Sequence, residues 1–294
     1  MARQIPYGHQ SIDAEDIDTV VEVLRSEWLT TGPRVPQFED GLCRAVGARH
    51  AIAVNSGTSA LDIAVAALDL PPGSEVITTP FTFAATANAI LYNGCVPVFG
   101  DIEPETRNIS PEDICSRITS RTRAVICVDY AGHPCELAEI REIAEEHDLF
   151  LIDDACHALG AEYGGKRLGT FADMTIFSFH PVKPITTGEG GAVVTDNSDL
   201  AERLRLLRSH GIDRNISCPP DQGWAYDMVM LGRNYRLTDI QAALGGSQLR
   251  RLEGFLERRN RIAELYRQQL GGIPQVTLPG VKPGVYHGWH LFTV

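Results

Sequence analysis

Lys183 is the residue in this chain best placed to act as a nucleophile. It lies in Ser178-Phe-His-Pro-Val-Lys-Pro-Ile-Thr-Thr-Gly-Glu-Gly-Gly191, after an apolar run over 174–179 that predicts a buried strand and before a second apolar run over 191–195. Its amine therefore leaves the end of a sheet and enters a tight, glycine-rich loop, a poor setting for a solvated surface lysine. Pro181 and Pro184 restrict the backbone on either side, giving the rigid mount that an amine forming a Schiff base needs. On these residues alone, a lysine in an ordinary surface loop remains an equal reading.

A second stretch shifts that balance. Phe150-Leu-Ile-Asp-Asp154 predicts an apolar strand ending in two acids, followed by Ala155-Cys-His157. Carboxylates at the tip of a buried strand are common binding groups in α/β proteins, because ligands sit beyond the carboxyl ends of the strands. An enzyme using pyridoxal 5′-phosphate needs a lysine to bond the aldehyde and an acid to keep the pyridine nitrogen protonated, and both are present. Strand alternation aims Asp153 and Asp154 in opposite directions, so only one of them can face the ring. Further upstream, Asn55-Ser-Gly-Thr-Ser59 turns a short strand over 51–54 into a helix over 60–70. Free N–H groups and the positive helix end make such a turn a phosphate cradle, with simple N-capping by Ser56 or Thr58 as the alternative.

The elements that must position these groups alternate along the chain. Two amphipathic helices come first, over 11–28 and through Val35, Phe38, Leu42 and Val46, separated by a loop over 29–33. Strands are then predicted over 75–78, 96–99, 124–128 and 149–152, and helices over 84–92, 111–118 and 137–147. Repeated βα units imply a mainly parallel sheet with helices on both faces. A helix over 198–210 follows the lysine loop, and then a looser segment with Pro219, Pro220 and Gly223. Thr238-Asp-Ile-Gln241 has capping-box spacing and predicts one long helix reaching Leu270, where Gly271 and Gly272 stop it. Residues 290–294 are expected to be a strand that breaks off without a partner. The domain reading is a large N-terminal unit over 1–237 and the start of a smaller, incomplete C-terminal one over 238–294.

Composition narrows the function classes. The 294 residues are 44% hydrophobic and 22% charged, as in a soluble globular protein with a large core. A net charge of −12 argues against a general nucleic-acid or anionic-membrane binder. The N-terminus lacks the apolar run of a signal peptide and no window approaches a membrane span, so a cytoplasmic protein is expected. Seven scattered cysteines without a Cys-x-x-Cys pair suggest neither a disulfide framework nor a zinc site. His133 and Cys135, close together but without a second pair, are weak evidence for a metal.

Taken together, Asn55-Ser-Gly-Thr-Ser-Ala60, Thr79-Pro-Phe-Thr-Phe83, Asp153-Asp-Ala-Cys-His157, Ser178-Phe-His-Pro-Val-Lys183, Thr187-Gly-Glu-Gly-Gly191 and Arg233-Asn-Tyr-Arg-Leu237 resemble the DegT/DnrJ/EryC1/StrS family of nucleotide-sugar aminotransferases. The resemblance covers nearly the whole chain, in the family's order and spacing. It implies the type I, aspartate aminotransferase-like fold, pyridoxal 5′-phosphate as cofactor, a nucleotide sugar and an amino-acid donor as substrates, and a homodimer with shared active sites. Within the family, Gly8-His-Gln-Ser-Ile12, Cys156-His-Ala-Leu-Gly160, the run over 177–191 and Arg208-Ser-His-Gly-Ile212 are most similar to members that aminate C4 of a UDP-4-keto-6-deoxy-N-acetylhexosamine for pseudaminic acid synthesis.

Residue by residue, the resemblance implies that Lys183 bonds the cofactor and later shuttles the proton, and that Asp154 pairs with the pyridine nitrogen. His157 would reach the 3-hydroxyl, its alternative being a satisfied histidine under the sheet. Phe83 would stack on the ring, or else only pack the core. Gly57, Thr58 and Ser178 would hold the phosphate, with Asn234 reaching it from the neighbouring subunit. Thr31 in the 28–33 loop, His180, Tyr235 and Arg236 are candidates for the sugar and nucleotide. Family dehydratases that remove a sugar hydroxyl characteristically carry histidine at the lysine position, so Lys183 argues against that chemistry. A non-catalytic sensor with the same fold is the other alternative, which intact Lys183, Asp154 and Ser178 disfavour.

Overall fold

The computed structural model describes residues 8–213 and 225–294. The segment with Cys218, Pro219, Pro220 and Gly223, and the residues before Gly8, lie outside the described residues. The chain opens with α1 (Ala14–Arg25) and α2 (Arg34–Val46). The first begins at Asp13, whose carboxylate accepts from the Asp16 amide while that of Asp16 accepts from the Asp13 amide, so two orphan donors are satisfied reciprocally. The second ends on Gly47, left-handed at φ 78.

Strands and helices then alternate: β1 (His50–Val54), α3 (Gly57–Ala67), β2 (Glu75–Thr78), α4 (Ala85–Tyr92), β3 (Val96–Phe99), α5 (Pro111–Arg117), β4 (Thr122–Val128), α6 (Leu137–Glu146) and β5 (Phe150–Asp154). A small hairpin follows, β6 (Glu162–Tyr163) and β7 (Lys166–Arg167), turning through Gly164 and Gly165 at φ 57 and 76, the left-handed pair that a two-residue hairpin requires. After it come β8 (Met174–Ser178), β9 (Gly191–Thr195), α7 (Ser198–Arg208), the short pair β10 (Ile212–Asp213) and β11 (Asp227–Met228), α8 (Asp239–Arg250), α9 (Leu252–Leu270) and β12 (Val285–Tyr286).

Seven strands form the central sheet in the order β1-β9-β8-β5-β4-β2-β3. The β3, β2, β4, β5 and β8 neighbours are parallel, and β9 alone runs against both of its neighbours, β8 and β1. All other carboxyl ends therefore meet at one edge, together with the amino end of β9. This is the mainly parallel, helix-covered architecture expected from the βα alternation.

Side-chain parity divides the core into two layers. Val125, Cys127, Leu151 and Ala53 pack with α2, α6 and Leu256 of α9 on one face. Ile52, Val54, Ile126 and Ile152 pack with α3, α4 and α7 on the other. Asp154, two residues beyond Ile152, thus faces α3 and α4, and Asp153, two beyond Leu151, faces the opposite layer.

Two expectations for the C-terminal part are corrected. The predicted continuous helix from Thr238 to Leu270 is two helices that part at Arg251 (φ −99, ψ 0). That guanidinium bonds Asp16 and Asp13 at 2.8 and 3.0 Å, and Asp16 is fully buried, so anchoring α1 wins over helix continuity. The expected strand over 290–294 is not a strand. The backbone N–H groups of His290 and Leu291 donate to the Ala131 carbonyl, and the local pairing falls earlier, between Val285–Tyr286 and β6.

Candidate active site

The carboxyl edge of the sheet opens into a cavity of about 620 Å³ that Lys183 and Asp154 both line. Lys183 is delivered by the loop between β8 and β9. Hydrogen bonds at the base close that loop: the Phe179 amide donates to the Gly190 carbonyl at 2.9 Å, and the Thr187 amide to the Phe179 carbonyl at 2.9 Å. The Lys183 amide donates to the His180 carbonyl at 2.9 Å, completing a tight turn. Burial pushes the Lys183 amine below its ordinary value, with Cys156 and Asp154 partly holding it up. A larger neutral fraction is what a nucleophilic amine requires. The chain has three lysines. Of the other two, Lys166 is exposed on the hairpin and Lys282 is paired with Glu103 and Glu136.

Asp154 is 4% exposed; its Oδ1 accepts from the Cys156 amide at 3.3 Å, and its Oδ2 from a residue the sequence alone did not single out. Thr86 Oγ1, on α4 and fully buried, donates to Asp154 Oδ2 at 2.8 Å. Thr86 in turn lies 2.9 Å from the hydroxyl of Thr82. Thr82 precedes α4, so helix spacing does not pair the two hydroxyls; the turn leading into the helix brings them together. Asp153 points away from the cavity, as alternation requires, toward Asp129 and Cys127.

The start of α3 forms the cavity's other wall. Ser56 caps the helix by accepting from the Ser59 amide at 3.0 Å, leaving the Gly57 and Thr58 amides without a partner among the described residues. A Cβ on Gly57 would meet Ser178 Cβ at 2.9 Å and Ser178 Oγ at 3.1 Å, so only glycine lets the helix start lie against β8. Free first-turn amides beside a hydroxyl make an anion site.

His157 lies in the same cavity. Its Nδ1 accepts from the Ala131 amide at 3.3 Å, which places the proton of the neutral ring on Nε2. Burial, helped by the charge of Lys183, pushes its pKa down to about 3, so the ring is neutral at ordinary pH. His290 and Leu291 also line the cavity, and nothing local in the sequence marked them.

The structure brings Gly57, Thr58, Phe83, Asp154, His157, Ser178, His180 and Lys183 to one cavity, with Phe83 73% exposed at its rim. It leaves four candidates outside that cavity. Thr31 is exposed in a left-handed turn (φ 54), and Asn234 is exposed beside Ser209. Tyr235 gives its hydroxyl to Asp62, and Arg236 bridges Val54 at the edge of β1. A second cavity, of about 600 Å³, lies between α3, α7 and residues 229–233 and holds neither a lysine nor a histidine. Among the described residues no group of three or more His, Cys, Asp or Glu could hold a metal, and no helix is long and apolar enough to cross a membrane.

The model of the DegT/DnrJ/EryC1/StrS aminotransferase family matches residues 10–294. The chain belongs to that family. It is a sugar aminotransferase of a family that depends on pyridoxal phosphate. It is similar to a UDP-4-amino-4,6-dideoxy-N-acetyl-beta-L-altrosamine transaminase of Campylobacter jejuni, 44% identical over 99% of this chain and 76% of the relative. An uncharacterized protein of Methanocaldococcus jannaschii is 45% identical over 98% of this chain and 75% of its own length. Among solved structures, Helicobacter pylori PseC, an aminotransferase involved in the biosynthesis of pseudoaminic acid, superposes with a TM-score of 0.93 at 38% identity, over 99% of this chain and 77% of that one.

Proposed function

We propose that this enzyme transfers an amino group from L-glutamate to the C4 ketone of a UDP-linked 4-keto-6-deoxy-N-acetylhexosamine. The product is UDP-4-amino-4,6-dideoxy-N-acetyl-β-L-altrosamine, for pseudaminic acid synthesis, and the cofactor is pyridoxal 5′-phosphate. The observation that carries this is the meeting of Lys183 and Asp154 in one cavity, electrostatically coupled, across from the unpartnered amides at the start of α3. The fit to the cofactor rests on chemistry: an amine for an aldehyde, a buried carboxylate for a pyridinium, and free N–H groups with a hydroxyl for a phosphate. The choice of sugar draws on the similarity to the Campylobacter transaminase and to PseC.

When bound, the cofactor supplies the electron sink for a carbanion at the substrate carbon. The rest is done by the chain. Lys183 would hold the cofactor by its amine, the aldehyde oxygen leaving as water, and its free amine would move the proton at the donor's α-carbon. Asp154, oriented by Thr86, would hold the proton on the pyridine nitrogen. His157 would offer its Nε2–H to the 3-hydroxyl oxygen, Phe83 would cover the ring, and Gly57, Thr58 and Ser178 would hold the phosphate. His180 at the rim is a substrate contact, and Thr31, in an exposed turn outside this cavity, is proposed as a second one. Asn234, with Tyr235 and Arg236 on the same segment, serves the cavity of a second copy, making the dimer a catalytic unit.

The test is to offer the two C5-epimeric UDP-4-keto-6-deoxy-N-acetylhexosamines with L-glutamate, following 2-oxoglutarate and identifying the sugar product. Amination at C4 of the L-configured epimer is expected, with the other epimer turned over at least tenfold more slowly. Equal turnover of both, or of neither, would contradict the proposed specificity.

A further inference from the structure

The segment that reaches the cavity last in the chain packs one ring on His157 and is fastened beside it by backbone hydrogen bonds. The His290 ring lies on that of His157, with centroids 4.4 Å apart and planes tilted by 40°. The His290 amide donates to the Ala131 carbonyl at 2.8 Å, and the amide of that same Ala131, left-handed at φ 58, donates to His157 Nδ1. The Gly288 amide fastens the segment again, onto the Gly132 carbonyl at 2.8 Å. From behind, Arg259 of α9 donates to the Trp289 carbonyl at 3.0 Å and to the His290 carbonyl at 3.4 Å, with Nη2 3.5 Å from the Lys183 carbonyl.

We propose that His290 is a positioning residue: packed at a tilt on His157 and bound through Ala131, it shields the His157 ring and locks it as the neutral, Nε2-protonated tautomer. The physical need is clear. An imidazole beside an amine and near a carboxylate has two competing influences, and a tautomer held by one 3.3 Å bond from a strained turn is weakly specified. A second neutral ring against its face removes water from that side and penalises the imidazolium. His290 can do this only while neutral itself, and burial, with the positive charges of Lys183 and Arg259 and any charge on His157 opposing a further cation, pushes its pKa far down. The groups facing the two rings are Lys183, Asp154, Tyr130, Arg259 and the Val182 backbone. His290 Nδ1 has no partner, and the ring is held by the Val182 backbone, so it offers His157 its surface and not a hydrogen bond.

This inference rests on the role given to His157 above, and it is tested without cofactor so that the two can fail separately. ¹⁵N-histidine spectra of the apoprotein are compared for wild type, His290→Phe, which keeps a flat apolar ring, and His290→Gln, which fills the space without one. His157 is expected to stay neutral and Nε2-protonated down to pH 5 in wild type and His290→Phe. In His290→Gln its midpoint should rise by at least one pH unit and the tautomers should mix. With cofactor and glutamate, His290→Gln should lose about tenfold in kcat with KM nearly unchanged, and His290→Phe about twofold. An unchanged His157 spectrum in His290→Gln would overturn the proposal, as would failure of both variants to fold, which would assign His290 to the core. Failure of wild type to bond pyridoxal phosphate would instead remove the proposed function and leave the spectra standing.

Discussion

The chemistry concentrates in a few side chains whose environments differ sharply within one cavity. Lys183 is made more nucleophilic by burial, and Asp154 is steadied by the Thr86 hydroxyl on one oxygen and the Cys156 amide on the other. Replacing Thr86 by valine removes that donor at nearly constant volume. A buried hydrogen bond to a carboxylate contributes about 1.5 kcal/mol, so the rate of the glutamate half-reaction should fall about tenfold, read by single-turnover absorbance, with the fold intact. Asp154→Asn should slow the same step at least a hundredfold, because a neutral amide cannot hold the pyridine proton. Near-normal rates would pass the role to another acid, although Asp153 faces the opposite layer.

At the scale of elements, the cavity exists because parallel strands end together and one helix starts against them. Gly57 is the tightest joint. In Gly57→Ala the new methyl would press on Ser178 Cβ at 2.9 Å, so pyridoxal phosphate affinity should drop at least tenfold in a fluorescence titration, with a smaller loss of thermal stability. The same joint explains what was legible in the sequence. The strands bearing Asp154 and Ser178 and the turn at Ser56 carry strong local patterns, and the structure places them as predicted, within a few residues. What was not legible depends on distant partners. Arg251 breaks a helix to reach Asp16, Thr86 becomes a site residue only by meeting Asp154, and His290 enters through hydrogen bonds to Ala131. The Gly164-Gly165 hairpin carries its own turn residues, but strands of two residues give no alternating pattern to read.

Across the whole molecule, a buried pair of acids couples stability to pH. Asp129 and Asp153 are fully buried and face each other, and each has one carboxyl oxygen without a partner. A proton between them satisfies both. Burial pushes Asp129 up to about 7 and Asp153 well above the carboxylate range. A carboxyl whose folded pKa is raised contributes stability that is present below its unfolded value, near 4, and lost as pH rises toward 7. Asp129→Asn keeps a donor toward Asp153, so its apoprotein should gain on wild type as pH climbs through that window, by up to about 1.4 kcal/mol per unit, measured by denaturant melts. A constant difference between the two proteins from pH 4 to 7 would mean that Asp129 titrates normally.

The whole assembly of sheet edge, helix start and loop serves one bond between a lysine and an aldehyde. Borohydride reduction of the pyridoxal phosphate-loaded enzyme, followed by peptide mass mapping, reads that bond directly, and with three lysines in the chain the answer is unambiguous. The phosphopyridoxyl mass is expected on Lys183 and to be absent from Lys166 and Lys282. Its appearance on either of those instead, or equal labelling of a Lys183→Ala variant, would contradict the assignment of this cavity as the active site.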